Sequence, residues 1–256
     1  MAASTLAPVA DERIIVDEDY GQVCDRVADL IATLITAKPT AVLGMATGST
    51  PRGVYERLIR LHQRDGLDFS RVTCFNLDEY YPIEAASPHS YHEFMNRVLF
   101  SSINCRQWHV PNGLPRTPEA IAEDCLRYEE LIRAVGGIDL QILGIGRTGH
   151  IGFNEPGSSP FSRTRLVHLD AATRRDAAAG FGGLENVPTQ AISMGVCTIM
   201  EAKQIVLMAS GASKAEIVRA ALQEKPTAEI PATYLQFHPN LRYFLDEAAA
   251  SLCLGT

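Results

Sequence analysis

Two apolar runs in this chain hand over directly to residues that can move protons. Val72–Leu77 ends on Asp78-Glu79, and Ile138–Ile145 leads through glycines to His150 and then Asn154-Glu155-Pro156. Adjacent carboxylates repel each other. With partial burial, that repulsion raises one pKa and makes a stronger base than free aspartate at about 3.9. The competing reading of Asp78-Glu79 is a solvated turn that caps a neighbouring element. An imidazole and a carboxylate beyond a buried strand lie at the carboxyl edge of a sheet, where open α/β sheets bind their ligands.

A third stretch is suited to holding an anion. Ala41–Ala46 is a short apolar run, followed by Thr47-Gly48-Ser49-Thr50 and then Pro51, which opens a helix to about Arg64. Strand, hydroxyl-rich turn and helix amino terminus in succession supply free N–H groups and the positive end of a helix dipole. The plainer alternative is a capped strand-to-helix turn. Lys214 stands in the first turn after the apolar run Gln204–Ala209 and can bring an ammonium to the same edge, although lone lysines are mostly surface groups. Gly144, Gly146 and Gly149 match G-x-G-x-x-G, with Asp170 further on. A dinucleotide site needs a helix to begin there, and Asn154, Pro156, Gly157 and Pro160 forbid one.

The elements that must position these groups alternate. Apolar spacing predicts helices over Tyr20–Ala37, Pro51–Arg64, Tyr91–Phe100, Thr117–Val135 and Ser213–Gln223. Ser90-x-x-Glu93 reads as a capping box for the third of these. Short helices are expected at Ala172–Ala179, Thr198–Ala202, Pro231–Gln236 and Glu247–Leu252. Strands are expected near Arg13–Val16, Ala41–Ala46, Val72–Leu77, Trp108–Val110, Ile138–Ile145, Leu166–Leu169, Ala191–Val196, Gln204–Ala209 and Leu241–Leu245. Residues before about Asp19 read mainly as an arm. The pattern implies an α/β fold: a mainly parallel, Rossmann-like, doubly wound sheet with helices on both faces. One domain over residues 1–256 is expected, with a lid at about 157–188 that carries Arg163, Arg165, Arg174 and Arg175. Those arginines form either a solvated face or anion contacts on a mobile flap. In a parallel sheet the four post-strand loops, at Thr47–Pro51, Asp78–Glu79, Gly146–Glu155 and Ser210–Lys214, converge on one pocket.

Composition narrows the function. The chain has 256 residues, 46% hydrophobic and 21% charged, with a formal charge of -7. That acidic balance argues against nucleic acid or a membrane surface as partner. Six cysteines form no C-x-x-C pair and four lie in apolar segments, which suits buried thiols in a reducing compartment. No apolar run approaches about 20 residues and the start lacks a secretory pattern, so the cytoplasm is expected.

TGSTP, FNLDEYYP, SYHEFMNRVLF, GHIGFNEP, SRTR and SGASKA occur in this order between about Ala41 and Asp246. Together they resemble the glucosamine-6-phosphate deaminase family. The resemblance implies a C–N-cleaving enzyme that couples aldose–ketose isomerisation to loss of ammonia, giving fructose 6-phosphate. It makes Asp78 the base that takes the C2 proton and returns it at C1. It makes His150 the aid to ring opening, with Glu155 as its partner. Thr47, Gly48, Ser49, Thr50 and Lys214 fall at the phosphate contacts, and Glu79, Gly146 and Arg147 join the substrate-binding set. The partner is then a small-molecule sugar phosphate, no metal or cofactor is needed, and a homo-oligomer is left open.

Two departures stand out. Many members have an aspartate two residues before the histidine, and here that position is Thr148. A hydroxyl can orient an imidazole but supplies no charge, so the relay is expected to be incomplete. A lid arginine that many members use on the phosphate falls at Ala179, leaving Arg147, Arg174 or Arg175 to replace it. Alternative readings are an enzyme for another amino sugar phosphate such as galactosamine 6-phosphate, or a sugar-phosphate-sensing domain without catalysis. The related 6-phosphogluconolactonases differ in the residues after their G-H.

Overall fold

The computed structural model describes residues 12–114 and 116–253; the start of the expected arm, before residue 12, lies outside them. Among the described residues there are ten strands: β1 (Ile14–Asp17), β2 (Val42–Met45), β3 (Thr73–Asn76), β4 (Asp78–Tyr81), β5 (Gln107–His109), β6 (Leu140–Leu143), β7 (Arg165–His168), β8 (Gln190–Ser193), β9 (Ile205–Ala209) and β10 (Leu241–Asp246). The α-helices are α1 (Tyr20–Ala37), α2 (Arg52–Asp65), α3 (Tyr91–Val98), α4 (Pro118–Ala134), α5 (Ala171–Ala177), α6 (Val196–Met200), α7 (Ala215–Gln223) and α8 (Glu247–Ala250).

Local chemistry explains the main helices. The Asp19 side chain accepts from the Gln22 N–H to start α1, and Val23, Val27, Ile31 and Ile35 bury one face of it. Thr117 caps α4, with Pro118 at its first position. Gly66 ends α2 in the left-handed region at φ 74°.

Seven strands form an all-parallel sheet in the order β1-β10-β9-β6-β2-β3-β5, with helices on both faces. Strands β2, β3, β6 and β9 are buried throughout, as their mainly apolar runs predict. The strand order reverses between β2 and β6. The crevice beyond their carboxyl ends is where such a sheet takes a ligand.

The sheet reading needs one correction. Strands β4, β8 and β7 leave the parallel sheet and form a separate antiparallel one. Apolar patterning marks a strand without naming its partner, and β4 starts after one intervening residue, Leu77, from the end of β3. Asp78-Glu79 is therefore the beginning of a buried strand, not a solvated turn. The 157–188 segment is also less irregular than its sequence suggests. It holds β7, α5 and 3-10 turns at Ala178–Phe181 and Leu184–Asn186. Asp170 caps α5 through the Ala172 N–H, and turns, not a helix, follow Gly146. No helix among the described residues is long and apolar enough to cross a membrane.

Candidate active site

The carboxyl ends of β2, β3, β6 and β9 open onto one cavity of about 740 Å³. Its walls include Thr47, Gly48, Ser49, Thr50, Asp78, Gly146, Arg147, His150 and Lys214. Of the residues assigned to catalysis or substrate binding, Glu79, Thr148 and Glu155 do not line it.

Asp78 begins β4, where side chains alternate between faces. Asp78 and Tyr80 line the cavity, while Tyr81 packs away from it against Ile121, Cys125 and Ile192. Burial, with a smaller contribution from the nearby Glu79 charge, pushes the Asp78 carboxyl up to about 8. Glycine at position 152 leaves room beside it, since a Cβ there would meet Asp78 Oδ2 at 3.4 Å. Asp78 is thus a buried carboxyl beside empty space, able to hold or give up a proton near neutral pH.

Glu79 is corrected from substrate contact to structural cap. Its Oε1 accepts from the N–H groups of Tyr80 (2.9 Å) and Tyr91 (2.8 Å), and its Oε2 from that of His92 (2.9 Å). Burial raises its pKa to about 7 against the pull of these N–H groups. The expected capping box is therefore split between two residues. Ser90 Oγ accepts from the Glu93 N–H at 2.9 Å, and Glu79, not Glu93, takes further N–H groups at the start of α3.

His150 is fixed from behind. Its Nδ1 lies 2.9 Å from Thr148 Oγ1 and 3.2 Å from Glu155 Oε2. The far oxygen of Glu155 accepts from Thr173 Oγ1 (2.6 Å) and the Asp170 N–H (3.2 Å). Burial pushes the Glu155 carboxyl up, but His150, Thr173 and Asp170 together hold it below its ordinary value. The aspartate is absent as expected, and the expected partner Glu155 lies at the same Nδ1 as the Thr148 hydroxyl, which leaves Nε2 for a ligand. Thr148 and Glu155 contact the His150 ring without lining the cavity themselves.

The Thr47–Thr50 loop has the features of an anion cradle. Gly48 adopts φ +93°, a conformation that favours glycine. Tyr20 Oη donates to Thr50 O at 2.9 Å and accepts from the Gly53 N–H at 3.0 Å, pinning the loop to α1. Lys214 Nζ donates to Ile145 O at 2.7 Å, which brings β9's following turn against β6's. Burial lowers the Lys214 pKa, the Arg147 charge adds to that, and Asp176 opposes it.

Several wall residues were not found by sequence reasoning. Arg52, Arg97, Tyr91, Phe94 and Phe181 all line the cavity. Arg52 directly follows TGSTP, and its guanidinium sits 5.0 Å over the Phe94 ring. Position after the cradle was the available signal. Phe181 closes the lid side by packing edge-on to Tyr80 and stacking on His89, both with centroids 4.9 Å apart. Of the arginines proposed to replace one at Ala179, Arg147 reaches the cavity. Arg174 instead donates to Leu184 O and Val187 O, within the lid.

Known proteins are similar to this chain in sequence and in fold. Residues 17–242 match the family described as glucosamine-6-phosphate isomerases/6-phosphogluconolactonase. A protein of Alkaliphilus metalliredigens named glucosamine-6-phosphate deaminase is 46% identical over 242 residues, 94% of this chain and 99% of that one. One of the same name from Thermoanaerobacter pseudethanolicus is 44% identical over 94% of each chain. A solved structure, described as a monomeric glucosamine-6-phosphate deaminase, superposes with a TM-score of 0.90 at 42% identity, covering 94% of this chain and 99% of that chain. The 6-phosphogluconolactonase of Trypanosoma brucei shares the fold at 20% identity and a TM-score of 0.72, over 93% of this chain and 97% of that one. With a match spanning most of its length and relatives above 40% identity, this chain belongs to the glucosamine-6-phosphate isomerase/6-phosphogluconolactonase family.

Proposed function

We propose that this protein is a glucosamine-6-phosphate deaminase, converting glucosamine 6-phosphate and water to fructose 6-phosphate and ammonia. The observation that carries the reading is Asp78: a buried carboxyl, pushed up to about 8, on the wall of a cavity shared with His150 and an anion cradle. The 46%- and 44%-identical relatives of that name support it. The cavity volume suits a hexose phosphate, since small-ligand pockets run to about 300–1,000 Å³.

The chemistry follows from the order of the bonds. The C2 hydrogen of an aldose becomes acidic only when C1 is a free carbonyl, so the pyranose ring opens first. Nε2 of His150 is placed to pass a proton between the ring oxygen and the C1 hydroxyl, with Glu155 steadying the charge on the imidazole. Asp78 then takes the C2 proton and delivers it to C1. This leaves a C2 imine, which water converts to the ketone as ammonia departs. Thr47–Thr50, Lys214 and Arg147 hold the phosphate so that C1 and C2 lie at the carboxylate. The substrate is a soluble metabolite, and the six free cysteines fit a reducing cytoplasm.

Purified protein with glucosamine 6-phosphate is expected to release ammonia and fructose 6-phosphate in equal amounts. Absence of ammonia at every pH from 6 to 9 refutes the reading. A second expectation concerns Gly146. A Cβ at this position would overlap the His150 ring. Gly146→Ala is therefore expected to displace the imidazole and lower kcat by about tenfold or more, while a circular dichroism spectrum stays native.

A further inference from the structure

Asp176, on the cavity wall, runs against the use proposed for the cavity. The phosphate end is otherwise cationic, with Arg147 and Lys214 beside the Thr47–Thr50 cradle, yet Asp176 also lines this cavity. Its carboxylate grips Arg147 at two points: Oδ1 takes Nη2, and Oδ2 takes Nε at 3.1 Å. Asp176 gains nothing from its own helix. It lies in the last turn of α5, where the dipole disfavours a negative charge. The pair also ties the loop after β6 to the lid segment. Its side chains are 62% and 45% exposed, so solutes can reach it and its own stabilisation is weak.

We propose that Asp176 is an internal counter-ion of the phosphate subsite, holding Arg147 until the phosphate of the substrate takes the carboxylate's place. This rests on the deaminase reading for the identity of the phosphate bearer. A phosphate monoester carries nearly two charges and three acceptor oxygens. A guanidinium binds it through the same two-pronged geometry that it uses with a carboxylate. Asp176 thus sets an affinity threshold: the ligand must outcompete a built-in carboxylate for Arg147. The Lys214 ammonium, within electrostatic reach of both partners, stays in place for the incoming anion.

Calorimetric titration with inorganic phosphate tests this on the full-length protein, without requiring turnover. Asp176→Ala and the near-isosteric Asp176→Asn are expected to tighten phosphate binding by about three- to tenfold, with a parallel fall in KM for glucosamine 6-phosphate. Glu185→Ala removes the same charge from an exposed position elsewhere in the lid segment and is expected to change binding by less than about 1.5-fold. In an Arg147→Ala background the gain from Asp176→Ala is expected to shrink. Unchanged, weaker or undetectable phosphate binding by both Asp176 variants overturns the proposal, as does an equal gain in Glu185→Ala. If phosphate binding tightens but wild-type protein releases no ammonia, the subsite inference stands and the deaminase reading falls.

Discussion

Asp78→Asn is expected to lower ammonia release about a thousandfold, which is within the usual contribution of a positioned general base. The melting temperature at pH 8 is expected to stay level or rise. Both results follow from the same burial. The carboxyl sits in a strand that is buried throughout and has its pKa pushed from 3.8 to about 8. A group raised in the folded state stabilises the fold fully below its unfolded value. That contribution is lost as pH climbs from about 4 through about 8, because the unfolded chain ionises first. Asparagine cannot ionise, so the variant loses less stability over this range than the wild type. The Glu79 carboxyl, raised to about 7, titrates in the same window and couples to Asp78, so the pair and not one residue sets the curve. The base must be ionised to act, so wild-type kcat/KM is expected to increase as pH rises from 6 towards 8. Thermal melts and rate profiles of the two proteins at matched pH check both expectations. A variant with more than a tenth of the activity would remove Asp78 as the base.

Glu155→Gln is expected to reduce kcat by about a hundredfold or more with little change in KM, since Glu155 does not line the cavity. The glutamine keeps an oxygen for Thr173 and the Asp170 N–H but turns an amide donor towards His150 Nδ1. That donor forces the ring proton onto Nε2 and withdraws the negative charge that steadies the imidazolium. Thr148→Val removes the other neighbour of Nδ1 and is expected to cost less than about tenfold, because a hydroxyl orients the ring without charging it. The ranking of these two variants separates the charge supplied by Glu155 from the orientation supplied by Thr148, which stands in the place of the missing aspartate. Glu155→Gln is also expected to lower stability at pH 7 by about 1 kcal/mol. The lowered Glu155 pKa means that its contribution is present above the ordinary 4.5 and lost as pH falls through the folded value, so the two proteins converge in acid.

Much of this site was legible in one dimension. Apolar spacing located α1 over Tyr20–Ala37 and the mainly apolar runs located β2, β3, β6 and β9, because helical period and double burial are written in local composition. The loops after those four strands were therefore known to share an edge. Asp78, His150, the Thr47–Thr50 turn and Lys214 do meet on one cavity. Glu79 was misplaced for an equally local reason. Taken as a turn, Asp78-Glu79 offers two carboxylates to a ligand; as a strand, it must send them to opposite faces. The turn reading also held a part of the truth, for Glu79 does cap α3.

The chain alone determined which chemical groups stand at the ends of buried strands, since that depends on hydrophobic runs and the residues that stop them. Only the folded molecule decided that β4, β8 and β7 pair in a second sheet, that Glu155 reaches the same imidazole nitrogen as Thr148, and that Asp176 occupies Arg147. Those are contacts between segments separated by up to about a hundred residues, and no local periodicity encodes which partner a side chain will find.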